Sequence, residues 1–194
     1  MPIKNRISEF QKDMQTWRHH FHEFPELAYK EIKTSNKVVE LLRSFKVDKI
    51  ETGIGGTGVV AVIKNGKGKS IGLRADMDAL PIKEENKKKY CSKNKGIMHA
   101  CGHDGHTSML LGAVKYLSET RNFKGKVVCI FQPAEEGFAG AKAMIEDGLF
   151  KKYPVTVLVT DHKMFDYKLI SKEAKYIFDT RNVIKNRTKN YFKV

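Results

Sequence analysis

Two short clusters hold most of the residues in this chain that could do chemistry. The first is His99-Ala100-Cys101-Gly102-His103-Asp104-Gly105-His106-Thr107, and the second is Gln132-Pro133-Ala134-Glu135-Glu136-Gly137. Cysteine, histidine and glutamate are the usual ligands of zinc and similar divalent metals. Cys101 and His103 lie two apart, so on an extended loop both can point to the same side. The second cluster directly follows Lys126 to Phe131, which reads as a buried strand. A loop leaving the carboxyl end of a parallel strand is where α/β proteins place their sites. Two adjacent glutamates there allow a division of labour, one binding metal while its neighbour stays free as a general base. Taken singly, each piece has an ordinary explanation. A lone cysteine is most often a small buried hydrophobe, and a Glu-Glu pair usually faces solvent. Their joint placement at strand–loop–helix junctions favours a functional site.

The elements that must position these clusters follow from apolar spacing. Ile3, Ile7, Phe10, Met14, Trp17 and Phe21 form one stripe at helical spacing, which Phe24-Pro25-Glu26 ends. A second helix is expected from about Lys30 to Phe45, burying Val38, Val39, Leu41 and Leu42. Val59 to Ile63 reads as a strand, residues 65–69 as a turn, and Ser70 to Arg74 as the next strand. A lysine- and asparagine-rich loop spans Lys83 to Gly96. A helix is expected from near His106 to about Glu119, and a short one from Ala139 to Asp147 with Gly148 as its cap. Strands alternating with helices after an opening helical pair predict an α/β sheet with helices on both faces. Val155 to Val159 reads as one more strand. Ile170, Ala174, Ile177 and Phe178 have the spacing of a short amphipathic helix.

The 194 residues suffice for one domain of ordinary size. No apolar run approaches the ~18–20 residues of a membrane span, and no apolar signal segment follows Met1, so a cytoplasmic protein that does not engage membranes is expected. Three cysteines (Cys91, Cys101, Cys129) cannot all pair with one another, which argues against a secreted disulfide framework. The net charge of +14 raises the question of a nucleic-acid partner. A lysine-rich composition spread over solvated faces is the better reading, because Lys87-Lys88-Lys89 is the one run of three bases. Residues 151–194 carry 11 basic against 4 acidic side chains, so the excess is concentrated there.

Four motifs carry a resemblance to a known family. Arg18-His19-His20-Phe21-His22-Glu23-Phe24-Pro25-Glu26-Leu27 resembles the opening motif of bacterial aminoacylase-like and hippurate-hydrolase-like enzymes, which have plant auxin-conjugate hydrolases as relatives. Leu73-Arg74-Ala75-Asp76-Met77-Asp78-Ala79-Leu80-Pro81 resembles their second motif, Met98 to Thr107 their third, and Phe131 to Gly137 their fourth, continued by Gly140 to Phe150. The likeness to these metal-dependent N-acyl-amino-acid amidohydrolases covers about residues 1–154. It implies the partial catalytic domain of a di-metal aminopeptidase-like α/β fold, a mixed sheet flanked by helices, without the family's lid or dimerisation domain. Oligomeric state is therefore left open.

Carried over residue by residue, the resemblance makes Cys101, His103 and Glu136 metal ligands and Glu135 the general base. Asp78 joins the catalytic set by orienting a ligand histidine, with Asp104 a second orienting candidate. Asp76 and His106 are weaker assignments, and His99 reads as closing the loop. His162 falls 26 residues after Glu136, where the family places another ligand histidine, but its neighbours Asp161 and Lys163 differ from the family's Leu-His-Asn sequence. The implied cofactor is Mn²⁺, Zn²⁺ or Co²⁺, two ions in the complete family enzyme and one or fewer expected here. The implied substrate is a small N-acyl amino acid, hippurate-like or N-acetylated. Residues 155–194 read as a divergent basic tail with the look of out-of-frame translation, and activity is expected to be impaired. The competing readings are a catalytically inactive remnant and an N-acetyl-diaminopimelate deacetylase-type amidohydrolase.

Overall fold

Alternation along two apolar strands decides which side of the sheet each residue serves. The computed structural model describes residues 3–153, the segments 155–158, 176–179 and 191–193, and position 168. Its elements run α1 (Ile3–Glu9), α2 (Gln11–Glu23), α3 (Ile32–Ser44), β1 (Lys49–Ile54), β2 (Gly58–Asn65), β3 (Ser70–Asp76), α4 (His103–Thr120), β4 (Gly125–Gln132), α5 (Gly140–Glu146) and α6 (Leu149–Lys152). The short strands β5 (Val155–Leu158), β6 (Tyr176–Asp179) and β7 (Tyr191–Lys193) follow. Successive strand residues point to opposite faces. Val59, Ala61 and Ile63 of β2 and Val127, Cys129 and Phe131 of β4 therefore meet Trp17, Phe21, Val38, Leu42, Leu111 and Val114 of the three long helices. Their neighbours Val60, Val62, Val128 and Ile130 pack on the other face against Met144, Leu149, Phe150 and Tyr153. The expected sheet with helices on both faces is thus present.

The sheet has strand order β1-β2-β4-β3. β1 and β4 run antiparallel to β2, whereas β3 and β4 run parallel, so the sheet is mixed. The parallel pair is the functionally important one. It brings the carboxyl ends of β3 and β4 level, with Asp76 opposite Gln132, and releases the following loops side by side. A truncation such as Leu42→Ala, at a fully buried contact between α3 and this sheet, is expected to cost about 2–5 kcal/mol, measurable by denaturant unfolding.

Three sequence expectations need correction. The single opening helix is two, because Phe10 forms a turn between α1 and α2 and buries its ring beneath Arg6 and Lys115. The helix expected from His106 begins at His103, after Gly102 in a left-handed conformation (φ 89°) that only glycine adopts freely. His103 is therefore on a helix rather than on an extended loop with Cys101. Tyr176–Asp179, which holds Ile177 and Phe178 of the expected amphipathic helix, is a strand between β5 and β7, while Ile170 and Ala174 lie outside the described residues. Its Tyr-Ile-Phe run is β-branched and aromatic, which suits a pleated surface. Among the described residues no helix is long and apolar enough to cross a membrane.

The carboxylate of Glu51 ties β1 to the end of α6. It accepts from Lys152, from the Tyr153 hydroxyl at 2.7 Å and from Lys49 at 3.0 Å. These three donors hold it down at about 2, against an ordinary 4.5. A depressed carboxylate stabilises the fold above its unfolded pKa and loses that contribution as pH falls through the folded value. The stability difference between the parent and Glu51→Gln is accordingly expected to shrink between about pH 5 and pH 2. Melting temperatures of the two proteins across that range check it.

Candidate metal centre

Asp76 ends β3, and Asp78 lies two residues into the loop that follows it. Both are almost fully buried. His103, in the first turn of α4, projects toward them and is 2% exposed. Its Nδ1 lies 2.8 Å from the Asp78 main-chain oxygen. A carbonyl oxygen only accepts, so Nδ1 carries the proton and donates. In the neutral ring this leaves the Nε2 lone pair facing Asp76 at 3.6 Å, Glu136 at 3.7 Å and Glu135 at 3.9 Å.

Cys101, His103 and Glu136 each offer one ligand atom, and the three atoms lie within 4.8 Å of one another. Asp76, His103 and His106 form a second such group. Both groups use His103, so the described residues gather about one position. The electrostatics fit a cation there. Glu136 Oε1 and Asp78 Oδ1 are buried without a hydrogen-bond partner among the described residues, and leaving such an oxygen unsatisfied costs about 1–3 kcal/mol or more. Burial alone would lower the pKa of His103, but Asp78 and Asp76 outweigh it and lift the ring to about 9. Cys101 is exposed as a residue, and partial desolvation of its thiol, reinforced by Glu136, Glu135 and Asp76, pushes it up to about 11. Burial would raise Asp76, yet Arg74, His103 and His106 hold it below the usual carboxylate range. Carboxylates that favour an imidazolium in their midst would equally favour a metal cation.

Asp78 also reaches the glutamate loop. Its Oδ2 accepts the Glu136 N–H at 2.9 Å. The same aspartate thus fixes the ring of one ligand candidate through its main chain and the backbone of another through its side chain. Burial would raise this carboxyl too, but His103 and the amides of Glu136 and Glu135 bring it down.

The remaining candidates divide. His106 is hydrogen-bonded to Asp76 at 2.7 Å and half exposed. Asp104 turns toward α2, where it meets His22 Nδ1 at 2.9 Å and accepts from Arg18 Nε at 3.2 Å. It braces the α2–α4 junction, and among the described residues its ring partner is His22 rather than His103. His99 is buried with neither ring nitrogen hydrogen-bonded among the described residues, and burial drives its pKa down to about 4. His162 lies outside the described residues. Two participants were missed in the sequence. His22 is held between Asp104 and Glu84, and Glu31 is fully buried against the glutamate loop. Neither shows in local spacing, because their partners lie 26 to 103 residues away.

The loop is tightly fitted where it leaves β4. A Cβ added at Gly140 would come within 1.8 Å of the Pro133 oxygen and 3.1 Å of the Ala134 Cβ. Gly140→Ala must therefore displace the backbone that carries Glu135 and Glu136. Such overpacking typically costs about 1–3 kcal/mol, and the variant is expected to melt lower and to bind divalent metal more weakly, as isothermal titration would report.

Comparison with known proteins places these features in company. Residues 72–178 match the model of peptidase family M20/M25/M40, a span that continues past Pro154. The chain is 50% identical over 165 residues to a hippurate hydrolase of Campylobacter jejuni, covering 84% of this chain and 43% of that protein. It is 42% identical over 157 residues to an N-acyl-L-amino acid amidohydrolase of Geobacillus stearothermophilus, covering 80% and 42%. Among solved structures it superposes with a TM-score of 0.72 and 34% identity on a Bacillus subtilis protein described as a dinuclear metal binding peptidase of the M20 family, covering 88% of this chain and 42% of that one. The chain spans less than half the length of each of these relatives.

Proposed function

This chain belongs to peptidase family M20/M25/M40, and from that premise we propose that it acts in the metal-dependent hydrolysis of the amide bond of N-acyl amino acids, with hippurate and N-acetyl amino acids as substrates. One observation carries the reading: Cys101, His103 and Glu136 converge on one position beside Glu135, as a hydrolytic metal centre requires. Cys101, His103 and Glu136 would hold the ion, with His162 as a further ligand. The ion, Mn²⁺, Zn²⁺ or Co²⁺, would supply Lewis acidity, lowering the pKa of water and polarising the amide carbonyl.

The rest falls to the chain's own residues. Glu135 takes the proton of the attacking water and later delivers it to the leaving amine nitrogen. Asp78 keeps His103 in the Nδ1–H tautomer and holds Glu136 by its backbone amide. In this reading residues 1–154 are the N-terminal part of the catalytic domain, and 155–194 a divergent basic segment. The free thiols Cys91, Cys101 and Cys129 suit the reducing cytoplasm.

The test is release of benzoate from hippurate, and of acetate from N-acetyl amino acids and N-acetyl-diaminopimelate, with each metal added and then chelated. Metal-dependent release that ceases on chelation is expected. Metal-loaded protein that leaves every one of these amides intact contradicts the proposal.

A further inference from the structure

Glu31 is the most completely buried carboxylate among the described residues that lies outside the two chemical clusters, with 0% of its surface exposed. It stands at the amino end of α3, far from Glu135 in sequence. Yet its Oε1 accepts the main-chain N–H of Ala134 at 2.8 Å, and its Oε2 accepts the Thr57 hydroxyl at 2.5 Å. Burying a carboxylate is unfavourable unless it is well hydrogen-bonded, so its placement calls for a reason.

The reason lies in what Ala134 does. Ala134 is fully buried and left-handed, with φ 51°, a conformation that L-residues other than glycine avoid. It immediately precedes Glu135 and Glu136. Such a conformation persists only where surrounding contacts over-determine it. Here Glu31 grips the Ala134 N–H, and the Gly140 N–H donates to the Ala134 oxygen at 3.0 Å. Two residues on, Asp78 grips the Glu136 N–H. The two glutamates thus stand on a short backbone held at each end by a buried carboxylate.

We propose that Glu31 is a positioning residue: its carboxylate, through the Ala134 amide, holds the left-handed backbone that points Glu135 and Glu136 into the metal centre. The proposal rests on the roles given above to Glu135 and Glu136. The bond it invokes joins two groups of the chain itself, which allows a test that does not depend on activity.

Two variants distinguish positioning from packing. Glu31→Met removes the acceptor while keeping the length and bulk of the side chain. Glu31→Gln keeps a carbonyl oxygen for Ala134, and the Thr57 hydroxyl can turn to accept from the new amide. Hydrogen exchange of the metal-free proteins is expected to show residues 133–137 exchanging about tenfold faster in Glu31→Met, with the sheet unchanged. Titration with Co²⁺, followed through its thiolate charge-transfer absorption, is expected to show affinity weakened about 10–100-fold. Glu31→Gln is expected to restore both to within about threefold of the parent. A lowered melting temperature with parental loop exchange and parental Co²⁺ affinity would assign Glu31 to packing alone and overturn the proposal, as would a Glu31→Gln variant no better than Glu31→Met. Should Glu31→Met fail to fold, Thr57→Ala removes only the hydroxyl that steadies the other carboxylate oxygen. The same local loosening is expected there, and its absence overturns the proposal. If the parent protein gives no Co²⁺–thiolate absorption, the metal reading fails on its own, and the exchange measurement still decides the role of Glu31.

Discussion

Glu135→Gln is expected to reduce hydrolysis of an N-acyl amino acid by about 100- to 10,000-fold, the usual contribution of a positioned general base, while leaving bound metal unchanged. The amide keeps the shape of the carboxylate but cannot take up a proton from water. Glu135 lies on the loop that Glu31 and Asp78 fix, with Oε2 3.9 Å from His103 Nε2, close enough to act beside an ion without being needed to hold it. Initial rates and metal content measured on the same preparation check the claim. Loss of metal in step with activity would move Glu135 from base to ligand.

The second large effect has the opposite signature. Glu136→Gln and Cys101→Ala are each expected to lower metal affinity first, by about 100-fold or more, since even residues that merely orient ligands are worth 10–100-fold. Activity should fall with occupancy and recover in part when metal is supplied in excess. Glu136 brings a buried carboxylate oxygen and Cys101 a sulfur, both within 4.8 Å of the His103 ring nitrogen. Equilibrium dialysis of parent and variants separates this behaviour from that of Glu135→Gln. Unchanged affinity in both variants would remove these two residues from the centre.

Much of this was legible in the sequence because the chemistry sits in contiguous motifs. Cys101 and His103 are two residues apart, and Glu135 and Glu136 are adjacent, so residue type and spacing alone single them out. The sheet behind them was equally plain, since β4, which delivers the glutamates, and its neighbour β2 are almost wholly apolar and buried on both faces. The amino end of α4 was not plain. His103, Asp104 and Gly105 interrupt the apolar period, and the helix start depends on the backbone of Gly102. The supporting carboxylates were harder still. Glu31 reads as a polar residue at a helix start, and only the folding of Thr57 and Ala134 around it, 26 and 103 residues onward, makes it part of the site. Asp104 was misplaced for a related reason. Adjacent to His103 in sequence, it leaves the helix in another direction and meets α2 instead.

Whether Cys101, His103 and Glu136 share one ion is tested most directly by X-ray absorption of the zinc-loaded protein. The expected zinc environment contains one sulfur at about 2.3 Å and nitrogen or oxygen scatterers at about 2.0–2.2 Å, with the sulfur lost in Cys101→Ala. A shell of nitrogen and oxygen alone, or a sulfur that survives that substitution, would contradict it.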